Sequence, residues 1–562
     1  WTPAAFIQNQ DRGLGVDVKS DQGTAAALEQ MLTYLVDRPI EWLRNKAPID
    51  ASVLYSLAED DPVRTLLQWI DDPISIDTSS EAEQAAFRSR CSGTYGLSVD
   101  GDGPIVAARK LADANGEWRA VWRRYREAPR MYPGVEERLR QAAAASQTTL
   151  SLGLDGDDPV HAWPQHNESE EKSLRESLSA ADGMTREGLV DQLDVLEARH
   201  GLRRNWVWRQ LGRSPLAQAL QHLVALASST PVVQSAPVTE LANWYAKEGW
   251  SAEDAVMRAF DAVSAQADRN AVQAVVDALY GGWCDHSARV FQDAVAGGDY
   301  LTSSQSELPP STCLVFTDGL RLDLGHRLAD LIRSRGLTVT VETQLAALPT
   351  ITATAKPALS PVADSLQSGP GLEPTTNGST KVNAAVLRGA MNEAGIQTLQ
   401  AGEVGDTSGR AWTEIGSIDS DGHHHQIGLA ARVEDDLVEI AQRVSELVDA
   451  GWRNVEIVTD HGFLLMPTPM KKAALPAHLV ELRKGRCARL GDGDEVEYET
   501  VAWRWDLDVR WAIAPGTACF EAGKQYEHGG VSLPECVVPH LRITKDLTVQ
   551  PVTLSKPKWR GM

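Results

Sequence analysis

Positive charge is scarce in this chain. Its 562 residues carry 54 Lys and Arg against 77 Asp and Glu, a formal net charge of −23. Non-specific nucleic-acid affinity comes largely from neutralising phosphates, so this balance excludes a general nucleic-acid coat protein and leaves room only for a local basic site. Cysteine is scarce too. Cys91, Cys284, Cys313, Cys487, Cys519 and Cys536 are scattered, with no CxxC pair, so neither a zinc knuckle nor a disulfide framework is legible. Such usage suits a reducing compartment, and a cytoplasmic protein is expected. Nowhere is there a run of about 18 apolar residues to span a bilayer. Trp1 to Gly13 lacks the basic and apolar regions of a signal peptide. The chain opens on Trp1 rather than Met and stops after the strand-like Leu547–Leu554, so it reads as a fragment of something longer.

What is present is an ordinary globular composition, 43% apolar and 23% charged, far from a disordered one. The length allows up to about four domains. Residues 1–305 read as an α-helical region. Apolar residues recur at helical spacing in Ala25–Asp37, Leu189–Leu202, Leu216–Leu226, Thr239–Tyr245 and Ala252–Ala265. At Ser306–Ser311, with Pro309 and Pro310, the texture changes. Thr312–Thr317 is a short apolar run of the kind that becomes a buried parallel strand. The helix pattern Leu322–Arg335 and a second run, Leu337–Val341, complete a strand–helix–strand unit. Asn454–Thr459 repeats the strand signature after the helix pattern Glu434–Ala450. Alternating β and α elements imply a mostly parallel sheet flanked by helices over residues 306–562. Between them Ser360–Thr380 reads as a long irregular loop. The short strand-like pieces Val496–Trp503 and Val509–Ile513 read as an insertion over the sheet edge.

Two of these strands end in a carboxylate, giving Thr317-Asp318-Gly319 and Thr459-Asp460-His461-Gly462. Ligands of open parallel sheets collect outside the carboxyl ends of the strands, so groups remote in sequence can meet there. Carboxylates buried together repel one another unless a cation neutralises them, and Asp318, Asp460 and His461 in one crevice therefore imply a metal. Further candidates follow: Asp419 with His423, His528 in Glu527-His528-Gly529-Gly530, and the hydroxyls of Leu348-Pro349-Thr350-Ile351-Thr352. Together these are enough ligands for two adjacent divalent metals with positions open for substrate. Asp419–His425 faintly imitates a calcium loop, but the sixth position is His424 and the twelfth Ala430, which excludes it.

These motifs resemble the alkaline phosphatase superfamily. More closely, T-D-G-L-R, L-P-T-I-T-A-T-A-K-P, V-T-D-H-G-F-L-L-M-P and Y-E-H-G-G-V-S-L-P-E-C-V-V-P are similar to the PglZ domain of BREX phage-defence systems, over about residues 310–545. The resemblance implies an alkaline-phosphatase-like α/β domain in 306–562, preceded by a partner-docking helical region in 1–305. It implies one metal held by Asp419, His423 and His528, with Asp421, His424 and His425 as rivals to the first two. A second would be held by Asp318, Asp460 and His461, with Thr352 as nucleophile and ligand, and Thr350 and Thr354 as its rivals. Zinc suits the mixed His and Asp set, with manganese as the alternative. The chemistry implied is attack of an ionised Thr352 hydroxyl on phosphorus, through a covalent phosphothreonine.

Arg321, three residues after Asp318, and Lys356, four after Thr352, are candidate phosphate contacts. No arginine matches the monoester-binding arginine of alkaline phosphatases, which favours phosphodiesters of nucleotides or nucleic acid. The alternatives are a phosphomonoesterase and a non-catalytic, metal-stabilised scaffold. Other BREX proteins are the implied partners, and no membrane is. Two basic stretches interleave aromatics, Arg119–Arg130 and Arg203–Arg213. Trp122 and Tyr125 are spaced for a helix core face, so a structural or docking role is preferred there over nucleic-acid stacking. Lys471, Lys472, Arg483, Lys484, Arg486 and Arg489 are better placed for nucleic acid, because their segment leads directly from Asp460–His461.

Overall fold

A computed structural model of the chain describes residues 2–58, 61–145, 159–231, 233–298, 300, 308–376, 379–491 and 496–544. The strand-like run 547–554 lies outside the described residues. Two compact units are formed, one from Trp1–Leu174 with Ala198–Gln218 and one from Arg175–Glu197 with Ala219–Met562.

The first unit is helical. Glu81–Tyr95 begins with a reciprocal cap in which Ser80 and Glu83 satisfy each other's backbone N–H. Helix Trp118–Glu127 buries Trp118, Val121, Trp122 and Tyr125 on one stripe and leaves its arginines outside. Trp208, from the second basic stretch, is also fully buried in this core. Trp122, Tyr125 and Trp208 are thus core side chains, and Trp206 is half-buried against the same core.

In the second unit, helices Val238–Trp244, Ser251–Asp261, Gln266–Val276 and Gly282–Ala296 precede a six-stranded sheet. Its strands are β1 (Thr312–Phe316), β2 (Thr338–Leu345), β3 (Gln397–Leu399), β4 (Arg410–Glu414), β5 (Asn454–Val458) and β6 (Val537–Thr544). Their order across the sheet is β2-β6-β5-β1-β4-β3. β1 pairs in parallel with β4 and β5, and β3 in parallel with β4, while β6 runs antiparallel to both β5 and β2. The central strand β1 is buried at all five residues, as an apolar run covered on both faces should be. Helix Leu322–Ser334 buries Leu324, Leu328 and Ile332. The preceding helices share a core with the site-bearing loops: Tyr245 and Phe291 join Ile351, Trp511, Val531 and Leu533.

Several expectations need correction. The second strand extends to Leu345 rather than ending at Val341. Ser360–Thr380 is not irregular throughout: after a single 3-10 turn, Leu366–Gln367, Thr375–Thr376 and Thr380–Lys381 pair as a small antiparallel sheet. Those strands are two residues each, too short for alternation to register. In the 471–524 segment the two strand-like pieces shift in their bounds, to Thr500–Trp503 and Asp506–Ile513, and with Cys487–Arg489 they pair as a separate antiparallel sheet.

Candidate metal centre

The carboxyl ends of β1 and β5 are adjacent because the two strands pair in register, Phe316 beside Val458. Thr459 Oγ1 accepts from Leu320 N at 3.0 Å and donates to His461 O at 3.2 Å, tying the two turns together. Asp318, Asp460 and His461 therefore meet. His461 Nε2 lies 3.4 Å from Asp318 Oδ1 and 3.6 Å from Asp460 Oδ2. On the other ring edge, Nδ1 donates to Gly462 O at 3.0 Å, which leaves the Nε2 lone pair directed at the carboxylates.

A second group assembles beside it. After β4, helix Ile418–His425 places Asp419 and His423 one turn apart on one face. His528 arrives from the loop before β6, its Nε2 3.5 Å from Asp419 Oδ1, and His423 Nε2 is 3.6 Å from the same oxygen. His528 Nδ1 donates to Thr350 O at 2.9 Å, again leaving Nε2 free. Burial pushes the His423 and His528 imidazoles below their usual range, toward the neutral form a metal requires. The ligand atoms of each trio lie within 4.8 Å of one another. The His461 and His528 rings stack at 3.8 Å between the two groups.

The electrostatics suit a cation. Burial, then the charge of Asp460, raises Asp318 well above the carboxylate range, and burial with Asp419 pushes Asp460 up to about 7. Asp318 Oδ1 and Asp460 Oδ2 are buried and make no hydrogen bond. Unsatisfied anionic oxygens of this kind cost several kcal/mol, roughly, unless a counter-charge meets them. The donor set therefore fits divalent ions.

Threonine and arginine placements sharpen the picture. Thr350 donates to Gly530 O at 2.7 Å, and Thr354 accepts from Trp503 Nε1 at 2.9 Å. Of the three, Thr352 alone has its hydroxyl at the cluster, 3.1 Å from His461 Nε2. His424 and His425 are exposed, and only His423 of that run joins the group. Arg321 caps helix Leu322–Ser334 instead of lying within it. It is fully buried, forked onto Asp323 at 2.7 and 2.9 Å and stacked on Phe463. That carboxylate occupies the fork a phosphate would need. Lys356 pairs with Glu414 at 2.8 Å over the Phe316 ring.

Residues with no role assigned from the sequence complete the site. Tyr526 donates to Asp419 Oδ1 at 2.9 Å, and Glu527 Oε1 lies 3.7 Å from His423 Nδ1. A Cβ at Gly422 would lie 2.2 Å from the Tyr526 ring. Gly422→Ala should consequently destabilise the second unit by about 1–3 kcal/mol, through overpacking against a ring that cannot retreat, and weaken metal retention. Thermal unfolding and metal analysis of the variant check both.

Residues 305–543 match the family model for the BREX system PglZ alkaline phosphatase-like domain. Over these residues the chain is similar to a PglZ domain. The match runs from before β1 to the penultimate residue of β6 and takes in both metal-ligand trios. Alkaline phosphatase-like folds generally use divalent metals, in keeping with the donors gathered here, and the match supports a hydrolase-type role within a multiprotein defence system. No curated protein matches the chain. Among the described residues no helix is long and apolar enough to cross a membrane.

Proposed function

We propose that the PglZ-like domain is a two-metal phosphohydrolase acting on phosphodiesters of nucleotides or nucleic acid within BREX defence. The observation that carries this reading is the pair of convergent trios, Asp318, Asp460, His461 and Asp419, His423, His528, with the Thr352 hydroxyl beside them. Divalent ions held there, zinc by the donor set, would supply Lewis acidity for the attacking and leaving oxygens. Thr352 is the nucleophile, held at the cluster by the start of helix Thr352–Leu359. His461 and His528 keep their Nε2 lone pairs inward because Gly462 O and Thr350 O hold the opposite nitrogens. Tyr526 fixes the Asp419 carboxylate.

The diester preference rests on charge. The two buried arginines flanking the site are already paired, Arg321 with Asp323 and Arg486 with Glu535. A dianionic monoester would find no free guanidinium fork in either, whereas a singly charged diester needs less counter-charge. In the same reading, residues 306–562 form the catalytic domain and 1–305 dock partners.

Metal analysis of the purified chain tests the proposal. The parent should hold two divalent ions, and Asp419→Ala/His423→Ala should retain about one. Equal metal content in parent and variant would overturn it.

A further inference from the structure

The basic residues of the 471–489 segment separate into two kinds once folded. Arg486 is fully buried against Glu535. Arg489 lies over the Trp503 ring and donates to the carbonyls of Gly369 and Gly371. Neither can meet a ligand. Lys471, Lys472 and Lys484 are exposed and, among the described residues, form no ion pair. Arg483 is half-buried and donates to Phe520 O at 3.2 Å.

Backbone pairing brings together the segments that carry these side chains. Cys519 N donates to Lys471 O at 2.9 Å, Phe520 N to Gly485 O at 2.7 Å and Met470 N to Lys524 O at 2.8 Å. Lys524, remote in sequence, thereby joins Lys471, Lys472, Arg483 and Lys484. Lys484 and Lys524 lie beside the metal centre. Glu527 carboxylate atoms fill the space 2.3 Å from where a Cβ on Gly485 would stand, so Lys484 abuts the Glu527–His528 loop. Lys524 Nζ lies 3.6 Å from Glu527 Oε1, the oxygen that faces His423, and both Lys484 and Lys524 act electrostatically on that imidazole.

We propose that these cations form a ridge, a track for the phosphodiester backbone of a nucleic-acid strand, leading it to the metal centre along the His423 side. The inference rests on the phosphodiesterase reading and, of nucleotides and nucleic acid, selects the polymer. In that reading the scissile phosphate meets Thr352 and the metal ligands. Cations lying outward of them have a role only if further phosphates follow on the same molecule. A chain of net charge −23 also repels a polyanion at long range, so local positive charge is needed for approach.

Fluorescence anisotropy of a short single-stranded phosphorothioate oligonucleotide, which resists cleavage, reads the track across a salt series. Lys471→Glu/Lys472→Glu should bind about tenfold more weakly and show a salt slope shallower by roughly one to one and a half, the loss of about two phosphate contacts. Lys471→Gln/Lys472→Gln should show the same change in slope with a smaller loss of affinity. Both positions are exposed, so the fold is not at stake. Identical slopes in parent and variants would overturn the track. Competition by polyglutamate equal to that by oligonucleotide would also overturn it, in favour of an acidic protein partner. Binding is read without turnover. A chain that binds through the ridge and hydrolyses no phosphodiester would sink the catalytic reading alone.

Discussion

His461→Ala should lower hydrolysis of a chromogenic phosphodiester about a thousandfold or more, roughly 4 kcal/mol of transition-state stabilisation. Four relations converge on this ring. Its Nε2 faces Asp318, Asp460 and the Thr352 hydroxyl at 3.4, 3.6 and 3.1 Å, and its face stacks on His528. Removing it deletes a donor from one trio and a wall from the other. A chelator should reproduce the loss in the parent. Thr352→Ala should lose hydrolysis to a similar extent while keeping its metal content, because truncation to the β-methyl removes the hydroxyl and the γ-methyl without touching the imidazole and carboxylate donors. Undiminished turnover in His461→Ala would eliminate the mechanism. Phage defence that survives Thr352→Ala and fails with Asp318→Ala would instead assign the metals a structural role.

The parts of this site that could be read in advance share a property: their signal is local. Asp318 and Asp460 stand directly after apolar runs that become β1 and β5, and a buried strand must deliver its next residue to the sheet's carboxyl edge. Asp419 and His423 carry a helical repeat within five consecutive residues. Thr352 could not be separated from Thr350 and Thr354, because what distinguishes them is the Gly530 carbonyl and the Trp503 indole, both distant in sequence. Tyr526, Glu527 and Lys524 were illegible for a related reason. Their roles exist only once the loop before β6 lies against helix Ile418–His425. Arg321 misled because i+3 spacing after Asp318 suggests a shared face, whereas the chain turns at Gly319 and begins its helix only at Leu322. The three-residue strand β3 offers too few residues for any periodicity to register.

Glu535→Ala should destabilise the second unit by about 3–5 kcal/mol, the range for stranding one member of a buried ion pair. Arg486 and Glu535 have fully buried side chains. Glu535 accepts from Arg486 Nε at 2.8 Å and Nη2 at 3.1 Å, from Gly530 N at 2.8 Å and from Ser532 Oγ at 2.6 Å. Burial alone would lower the Arg486 pKa, and the Glu535 charge more than offsets it, so the guanidinium stays charged. Once the carboxylate is gone, that charge has only the Gly516 and Ala518 carbonyls for company. The damage would spread to the centre, since Gly530 follows His528 by two residues and the Glu535 backbone carbonyl accepts from Gly462 N at 3.0 Å, beside His461. Denaturant unfolding in the presence of chelator isolates the fold from metal linkage. The drop in the second unit's transition should persist there and grow when metal is restored to the parent. Arg486→Met combined with Glu535→Leu should recover most of the stability, because an apolar pair of similar volume removes the stranded charge. It should not recover hydrolysis, because the Gly530 and Ser532 contacts that hold the His528 turn would still be missing. Equal unfolding midpoints for Glu535→Ala and parent would show that the pair contributes nothing to the fold.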